Sequence, residues 1–138
     1  MVDDVLLAKA ESIERCLRRV REEYDGHEDE LVTNYTRQDA LLLNLLRACE
    51  TSIDIAMHLV RRQRLGIPQN SRHAFEMLAH AGLLPAELAD AMKRMVGFRN
   101  VAIHHYRELD LDIVRRIVTE QLGAFRALAR LAIERAGG

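Results

Sequence analysis

The sequence predicts an all-α fold, an up-and-down bundle of about five helices joined by short loops. Apolar residues recur at steps of three and four along most of the chain, as they do on one face of an α-helix. Residues that favour strands are scarce, since aromatic residues make up only 4% of the chain. Proline and glycine, which interrupt helices, number only two and seven among the 138 residues.

The composition limits the classes of protein to which the chain can belong. A length of 138 residues suits a single domain, 1–138, with one continuous core. A formal net charge of −1 excludes a protein that holds nucleic acid by its overall charge, although it is compatible with a local basic site. Cys16 and Cys49 lack the spacing of metal ligands, which predicts buried, reduced thiols. The acidic N-terminus and the lack of a long apolar run predict a cytoplasmic protein with no membrane span.

The first helix is predicted to begin after Asp3 or Asp4, since either residue can cap its first turn. The helix ends before Gly26, and its apolar positions repeat at alternating steps of four and three. Residues 27–34 have no periodicity and are predicted to form a loop or an irregular helix start. The apolar face of the helix comprises Leu6, Ala10, Ile13, Leu17, Val20 and Tyr24.

The second helix is predicted to be the long central one. Thr36 followed by Asp39 resembles a capping box at its start, and Gly66 with Pro68 stops it. It is apolar around most of its circumference, apart from one polar stripe at helical spacing. This stripe is either a solvated face with ion pairs along the helix, or a face from which a carboxylate orients a catalytic group on a neighbouring helix. The polar stripe consists of Arg47, Glu50, Asp54, His58 and Arg61, with Glu50 and Asp54 as the carboxylates.

Two more helices are separated by a glycine and a proline. Asn70 or Ser71 can cap a short third helix, which stops at Gly82. Pro85 suits the first turn of a fourth helix, which the pattern extends over residues 85–107.

The fifth helix is predicted to begin at Asp110 or Asp112 and to run almost to the terminal Gly137 and Gly138. The short connections between all five helices favour a bundle in which neighbours along the chain pack together. The bundle fold alone does not indicate an activity.

The fourth helix carries an arginine on the face that should be buried. Leu88, Met92 and Met95 form its apolar stripe, and the same spacing continues to Arg99, Ala102 and Tyr106. Because an unpaired buried guanidinium is costly, this arginine must either pair with a carboxylate of the polar stripe or face a cleft or a subunit interface.

Polar groups are dense at the end of the fourth helix, where Asn100, His104, His105 and Tyr106 follow Arg99. Packing does not require so many hydrogen-bonding groups there. Arginine and histidine together suit phosphodiester cleavage without a metal ion. Arg99 can bind a phosphate through two N–H groups, and His104 can take a proton from a ribose 2′-hydroxyl or give one to the leaving oxygen near neutral pH.

The helical spacing places a geometric condition on this site. Residues five apart point about 140° away from each other, so Arg99 and His104 converge within one copy only if the arginine side chain curls round. Asn100 lies on the side nearer to the histidine. Two copies of the helix facing each other across a two-fold axis would supply two histidines, one as acid and one as base. We therefore predict a homodimer if the site is catalytic.

These residues resemble the HEPN superfamily, and within it the HepT toxins of bacterial and archaeal toxin–antitoxin pairs. The family hallmark, R-x4-H-x-Y, stands here from Arg99 to Tyr106. Residues 36–106 also contain segments similar to the family in the same order. These segments are LLNLLRACETSIDIAMHLV, HAFEMLAHAGLL and ELADAMKRMVGFRNVAIHHY.

The resemblance implies a HEPN-like homodimer with a metal-independent endoribonuclease site in the dimer cleft, which needs no cofactor and cleaves messenger or transfer RNA. It makes Arg99 the phosphate-binding arginine and His104 the general acid or base, with Asn100 in a supporting role. His105 occupies a variable motif position, which leaves open which of the adjacent histidines moves the proton, and the spacing favours His104.

The resemblance also implies a partner and a modification. The pair would be of the type VII-like class, in which the antitoxin MntA, a small nucleotidyltransferase, transfers AMP from ATP to the motif tyrosine, here Tyr106. One or more AMP groups would place bulk and negative charge beside Arg99 and His104, in the groove that RNA would use.

Other functions are open to the same residues. The chain could be a catalytically silent subunit that binds a nucleotidyltransferase, a reading that the low net charge mildly favours. A metal site built from His104 and His105 with His73 or His80 fits poorly, because adjacent helical residues point about 100° apart and no HExxH pattern is present. No helix shows the basic face of a DNA-reading helix-turn-helix protein.

Overall fold

The computed structural model describes residues 1–137, which form helices joined by short turns, with no strand in this range. The predicted all-α class is therefore confirmed. Short 3₁₀ turns at Glu28–Glu30 and Tyr106–Glu108 lie between the longer elements. The helices are α1 (Asp4–Tyr24), α2 (Tyr35–Arg62), α3 (Ser71–His80), α4 (Ala86–His104) and α5, which comprises Leu111–Arg116, a π-helical segment Ile117–Gln121 and Leu122–Ala136.

Helix α2 is the centre of the bundle, because it packs against all four other helices. Its polar stripe does not form ion pairs along the helix. The stripe instead binds neighbouring elements: Glu50 pairs with Arg99 of α4, and Asp54 pairs with Lys9 of α1 at 3.0 Å. The central position predicted for this helix is confirmed, and its polar face links it to two neighbours.

The start of α2 differs from the prediction. Asn34 caps the helix, since its side chain accepts a hydrogen bond from the backbone N–H of Arg37 at 3.1 Å. Thr36 already lies inside the helix, so the predicted capping box with Asp39 is wrong. Asparagine is among the best N-caps, and Asn34 has the extended backbone that a cap requires. The Asp39 carboxylate is consequently available for another contact.

The end of α4 also differs from the prediction, which continued the helix to residue 107. The helix stops at His104, because the backbone of His105 leaves the helical region with φ −135° and ψ 44°. Tyr106 therefore starts the following 3₁₀ turn and does not continue the apolar stripe of α4. Its ring is carried by a turn that lies beyond the helix.

Helix α5 begins where the sequence predicts, with the Asp110 side chain accepting a hydrogen bond from the backbone N–H of Asp112 at 2.9 Å. The π-helical segment interrupts its regular geometry, and periodicity alone did not predict it.

None of the helices within residues 1–137 is long and apolar enough to span a bilayer. Apolar side chains from all five helices form one core. Its largest fully buried side chains include Phe75, Phe125, Leu6, Ile13, Leu17, Leu45, Ile55 and Met92.

Asp3 joins three helices at one end of the bundle. It caps α1, and its carboxylate accepts hydrogen bonds from Nε2 of His58 at 2.7 Å and from Arg62 at 3.2 Å, both on α2. Its backbone N–H donates to the carbonyl oxygen of Ala136, at the end of α5, at 2.9 Å. The hydrogen bond from His58, followed by those from the cap and from Arg62, lowers the pKa of Asp3 below its ordinary value.

Asp3→Asn is expected to lower the free energy of unfolding at pH 7 by about 1 kcal/mol, because asparagine keeps the cap but loses the charge that His58 and Arg62 bind. A carboxyl group with a lowered folded pKa stabilises the fold above its unfolded pKa of about 3.9. That stabilisation is lost as the pH falls through the folded pKa. Urea unfolding of both proteins between pH 7 and pH 3 checks this, and the difference between them should shrink towards the acid end.

The matched control is Asp4→Asn, a change to an exposed neighbouring carboxylate that has no side-chain partner within residues 1–137. It should leave the unfolding midpoint nearly unchanged. A difference between wild type and Asp3→Asn that stays constant down to pH 3 would contradict the role of the Asp3 charge.

Candidate active site

Arg99 is held by a carboxylate of the polar stripe. The Nε and Nη2 atoms of Arg99 both contact Oε1 of Glu50, so the guanidinium of α4 is fixed against α2. The side chains remain accessible, with 27% of Arg99 and 45% of Glu50 exposed. Asp54, the other carboxylate that the sequence offered, binds Lys9 instead. The arginine on the apolar face of α4 is therefore paired but still open to solvent.

Asn100 supports the same guanidinium from the side. Nη1 of Arg99 donates to Oδ1 of Asn100 at 3.0 Å. A guanidinium has five N–H donors, and the contacts with Glu50 and Asn100 within residues 1–137 use one on each nitrogen. Two N–H groups therefore remain for a further ligand. A positively charged group with a fixed plane and two free donors suits a phosphate.

The thiol of Cys49 lies next to Glu50 along α2 and is almost completely buried. Burial raises its pKa to about 12, so the thiol stays protonated and unreactive near neutral pH. Cys16 is buried as well, and burial raises its pKa. The predicted state of both cysteines, buried and reduced, agrees with the structure.

His104 and His105 are exposed at the end of α4. The side chain of His104 makes no hydrogen bond within residues 1–137, and no side-chain hydrogen bond in this range joins it to Arg99. Nδ1 of His105 lies 3.8 Å from a carboxylate oxygen of Glu108, a contact that is an ion pair only when the histidine is protonated. One copy therefore places the arginine and the histidine of the motif on the same helix end but does not bring them into contact.

Tyr106 is hydrogen-bonded to Asp39, the aspartate that the sequence predicts to be part of the capping box of α2. Its hydroxyl donates to Oδ1 of Asp39 at 2.5 Å, across 67 residues of sequence. Partial burial, and then the hydrogen bond to Asp39, raise the pKa of Tyr106 to about 12. The hydroxyl is therefore neutral near pH 7, and the residue as a whole is 41% exposed. No pattern in the sequence connects the two residues, because they meet only through the packing of α2 against the end of α4.

Metal-binding side chains do not gather at this site. No group of three histidines, cysteines or carboxylates within residues 1–137 is arranged to hold a metal ion. His73, a ligand in the metal-site alternative, instead accepts a hydrogen bond from the backbone N–H of Gln69 at 3.0 Å.

Comparison with known proteins decides the family. The model of the HepT-like family, described as Ribonuclease HepT-like, matches residues 13–132, which include α2, α3, α4 and the whole motif. The chain belongs to the HepT-like family. The resemblance drawn from Arg99, His104 and Tyr106 is thereby confirmed at the level of the family.

Two relatives illustrate the range of similarity. The mRNA nuclease HepT of Shewanella oneidensis is 44% identical over 124 residues, which cover 90% of this chain and 92% of that protein. A putative RNase of Archaeoglobus fulgidus is 34% identical over 77 residues, 56% of this chain and 58% of that protein. The similarity to the HepT nuclease thus extends over nearly the full length of both chains.

Solved structures of the family have the same fold. The chain matches the tri-AMPylated Shewanella oneidensis HEPN toxin, solved in complex with the MNT antitoxin, with a TM-score of 0.88 and 43% identity over 94% of this chain and 96% of that one. It matches a toxin–antitoxin crystal structure with AMP-PNP with a TM-score of 0.89 and 42% identity, covering 94% of this chain and 97% of the other.

Proposed function

We propose that this chain is the toxin of a toxin–antitoxin pair, a metal-independent endoribonuclease that cleaves messenger RNA in the cytoplasm. The observation that carries the proposal is the complete R-x4-H-x-Y motif, with Arg99 fixed and partly exposed, in a chain 44% identical to an mRNA nuclease over nearly its whole length. The homodimer belongs to the proposal, because one copy does not bring Arg99 and His104 into contact.

In the proposed mechanism Arg99 binds the scissile phosphate through the two N–H groups that Glu50 and Asn100 leave free. Its charge persists at every relevant pH and offsets the negative charge that builds on the phosphoryl oxygens. His104 takes the proton from the ribose 2′-hydroxyl, which attacks the phosphorus, and the histidine of a second copy gives a proton to the leaving oxygen. Glu50 keeps the guanidinium in place between turnovers.

The proposed partner is an MntA-type nucleotidyltransferase that inactivates the toxin by attaching AMP to Tyr106. The exposure of Tyr106 supports this, because the partner has to reach this residue. Support also comes from the tri-AMPylated toxin and its antitoxin in the similar solved structure. AMP on Tyr106 would add a negative phosphate near Arg99 and compete with RNA for the guanidinium.

The experiment that tests this function is cleavage of total RNA by the purified chain in excess EDTA, before and after incubation with its partner, ATP and Mg²⁺. We expect cleavage in EDTA from the free protein and a loss of cleavage after AMP attachment. His104→Ala, purified in parallel, reports contaminating nucleases. If wild type and variant are equally inactive while still binding the nucleotidyltransferase, the chain is the silent binding subunit.

A further inference from the structure

The turn that contains Tyr106 is hydrogen-bonded to α2 through the tyrosine hydroxyl, which is the group to which the proposed modification would attach AMP. Within residues 1–137, the bond from Tyr106 to Asp39 is the only side-chain hydrogen bond that joins the turn Tyr106–Glu108 to another element. The turn's other hydrogen bonds are local, such as the one from the Glu108 N–H to the His105 carbonyl oxygen. Asp39 is therefore the side chain within residues 1–137 that holds the reacting oxygen by a hydrogen bond.

Asp39 has neither of the two structural roles that usually explain an aspartate in the first turns of a helix, a helix cap or an ion pair. It does not cap α2, because Asn34 does. It has no cationic partner, since none of the ion pairs within residues 1–137 includes it. Asp39 is exposed, so holding an exposed ring adds little to the stability of the fold. Its single side-chain partner in this range is the tyrosine hydroxyl.

A phenol requires a base before it can attack a phosphorus atom near neutral pH. The pKa of Tyr106 is raised to about 12, so the hydroxyl is almost entirely protonated under those conditions. A carboxylate that already accepts the hydrogen bond of a nucleophilic hydroxyl can take its proton as the bond to phosphorus forms. Asp39 meets this geometric condition, because its Oδ1 lies 2.5 Å from the hydroxyl oxygen.

We propose that Asp39 is the general base of AMP transfer, supplied by the toxin itself: it aims the Tyr106 hydroxyl at the α-phosphate of ATP and accepts its proton. The bond from Oη of Tyr106 to the α-phosphorus forms, and the bond from that phosphorus to the pyrophosphate oxygen breaks. Pyrophosphate leaves with the electron pair, and the proton moves to Asp39 and then to water. The inference rests on the proposed function of Tyr106 as the AMP acceptor.

The test is the initial rate of AMP attachment, measured by intact-protein mass spectrometry with the cognate nucleotidyltransferase, ATP and Mg²⁺ between pH 6 and 10. Asp39→Asn can still accept the hydrogen bond but cannot take a proton. We expect its kcat at pH 7 to fall about 10²-fold or more, with little change in the KM for the toxin. We also expect its rate to rise steeply with pH as hydroxide replaces the base, while the wild-type rate varies less.

Asp29→Asn is the matched control, since Asp29 is an exposed carboxylate in the turn Glu28–Glu30. Its rate should equal that of wild type, and Tyr106→Phe should take up no AMP. Equal rates for Asp39→Asn and Asp29→Asn would overturn the role of Asp39 alone. A change confined to the KM would overturn it as well. If wild type itself takes up no AMP, or if Tyr106→Phe takes up as much as wild type, the proposed function of Tyr106 fails instead.

Discussion

His104→Ala is expected to slow RNA cleavage by about 10²- to 10⁴-fold, the usual contribution of a positioned acid or base. The side chain of His104 is exposed and makes no hydrogen bond within residues 1–137, so its removal should not disturb the fold. The measurement is the cleavage rate of a defined RNA in EDTA, together with the urea midpoint of each variant.

His105→Ala is the control for the adjacent position, because this side chain is also exposed and its one ion-pair partner within residues 1–137 is Glu108. We expect a rate close to that of wild type. The reverse result, a large loss for His105→Ala and a small one for His104→Ala, would assign the proton transfer to the other histidine. Equal losses for both would contradict a single histidine in this role.

The geometry of Arg99 extends the same experiment. Arg99→Lys keeps the charge but cannot bind Glu50 and a phosphate at the same time through a planar fork. We expect a loss of about 10²- to 10³-fold in the cleavage rate, as when one donor to a developing charge is removed. An Arg99→Lys enzyme with wild-type activity would show that only the charge of Arg99 is needed.

Phe125→Ala is expected to lower the free energy of unfolding by about 3–5 kcal/mol, a large part of the stability of a domain of this size. The ring of Phe125 is fully buried in the part of α5 that packs against α1. Its removal leaves a cavity among side chains that cannot all close round it. Urea unfolding monitored by circular dichroism measures the change.

Ile133→Ala on the same helix is the matched control, because Ile133 is 49% exposed. It removes a large apolar side chain without opening a cavity, so we expect a change within about 0.5 kcal/mol. Because alanine has a higher helix propensity than either residue, similar losses for the two variants would contradict the cavity at Phe125 as the cause.

The number and order of the helices could be predicted from the sequence because each apolar face repeats with the helical period. The caps Asp3, Asn70 and Asp110 were among the predicted alternatives, since their side chains bind backbone N–H groups within three residues. Asn34 was missed because Thr36 with Asp39 offered a second plausible cap close by. Which of two neighbouring residues caps a helix depends on the backbone geometry at each of them, and the sequence does not contain that geometry.

The candidate site was predicted in part for a related reason. Arg99 stood out because a charge lay on an apolar face, and the polar stripe of α2 narrowed its partner to Glu50 or Asp54. The bond between Asp39 and Tyr106 left no such signal, because it depends on where α4 ends. The apolar periodicity predicts a helix that continues past His104. In the structure the helix ends at His104, and the tyrosine after it binds Asp39 of α2.

The π-helical segment of α5 has a consequence for the comparison of family members of different length. A π turn closes its hydrogen bonds five residues apart instead of four, so Ile117–Gln121 accommodates one residue more than a regular turn. A relative that lacks one residue here can keep both halves of the helix in the same packing, as a continuous α-helix. The loss of one residue elsewhere in α5 would rotate every later side chain by about 100°. Single-residue gaps in alignments of this helix therefore belong within Ile117–Gln121. Thr119 and Glu120 are the exposed residues of this segment.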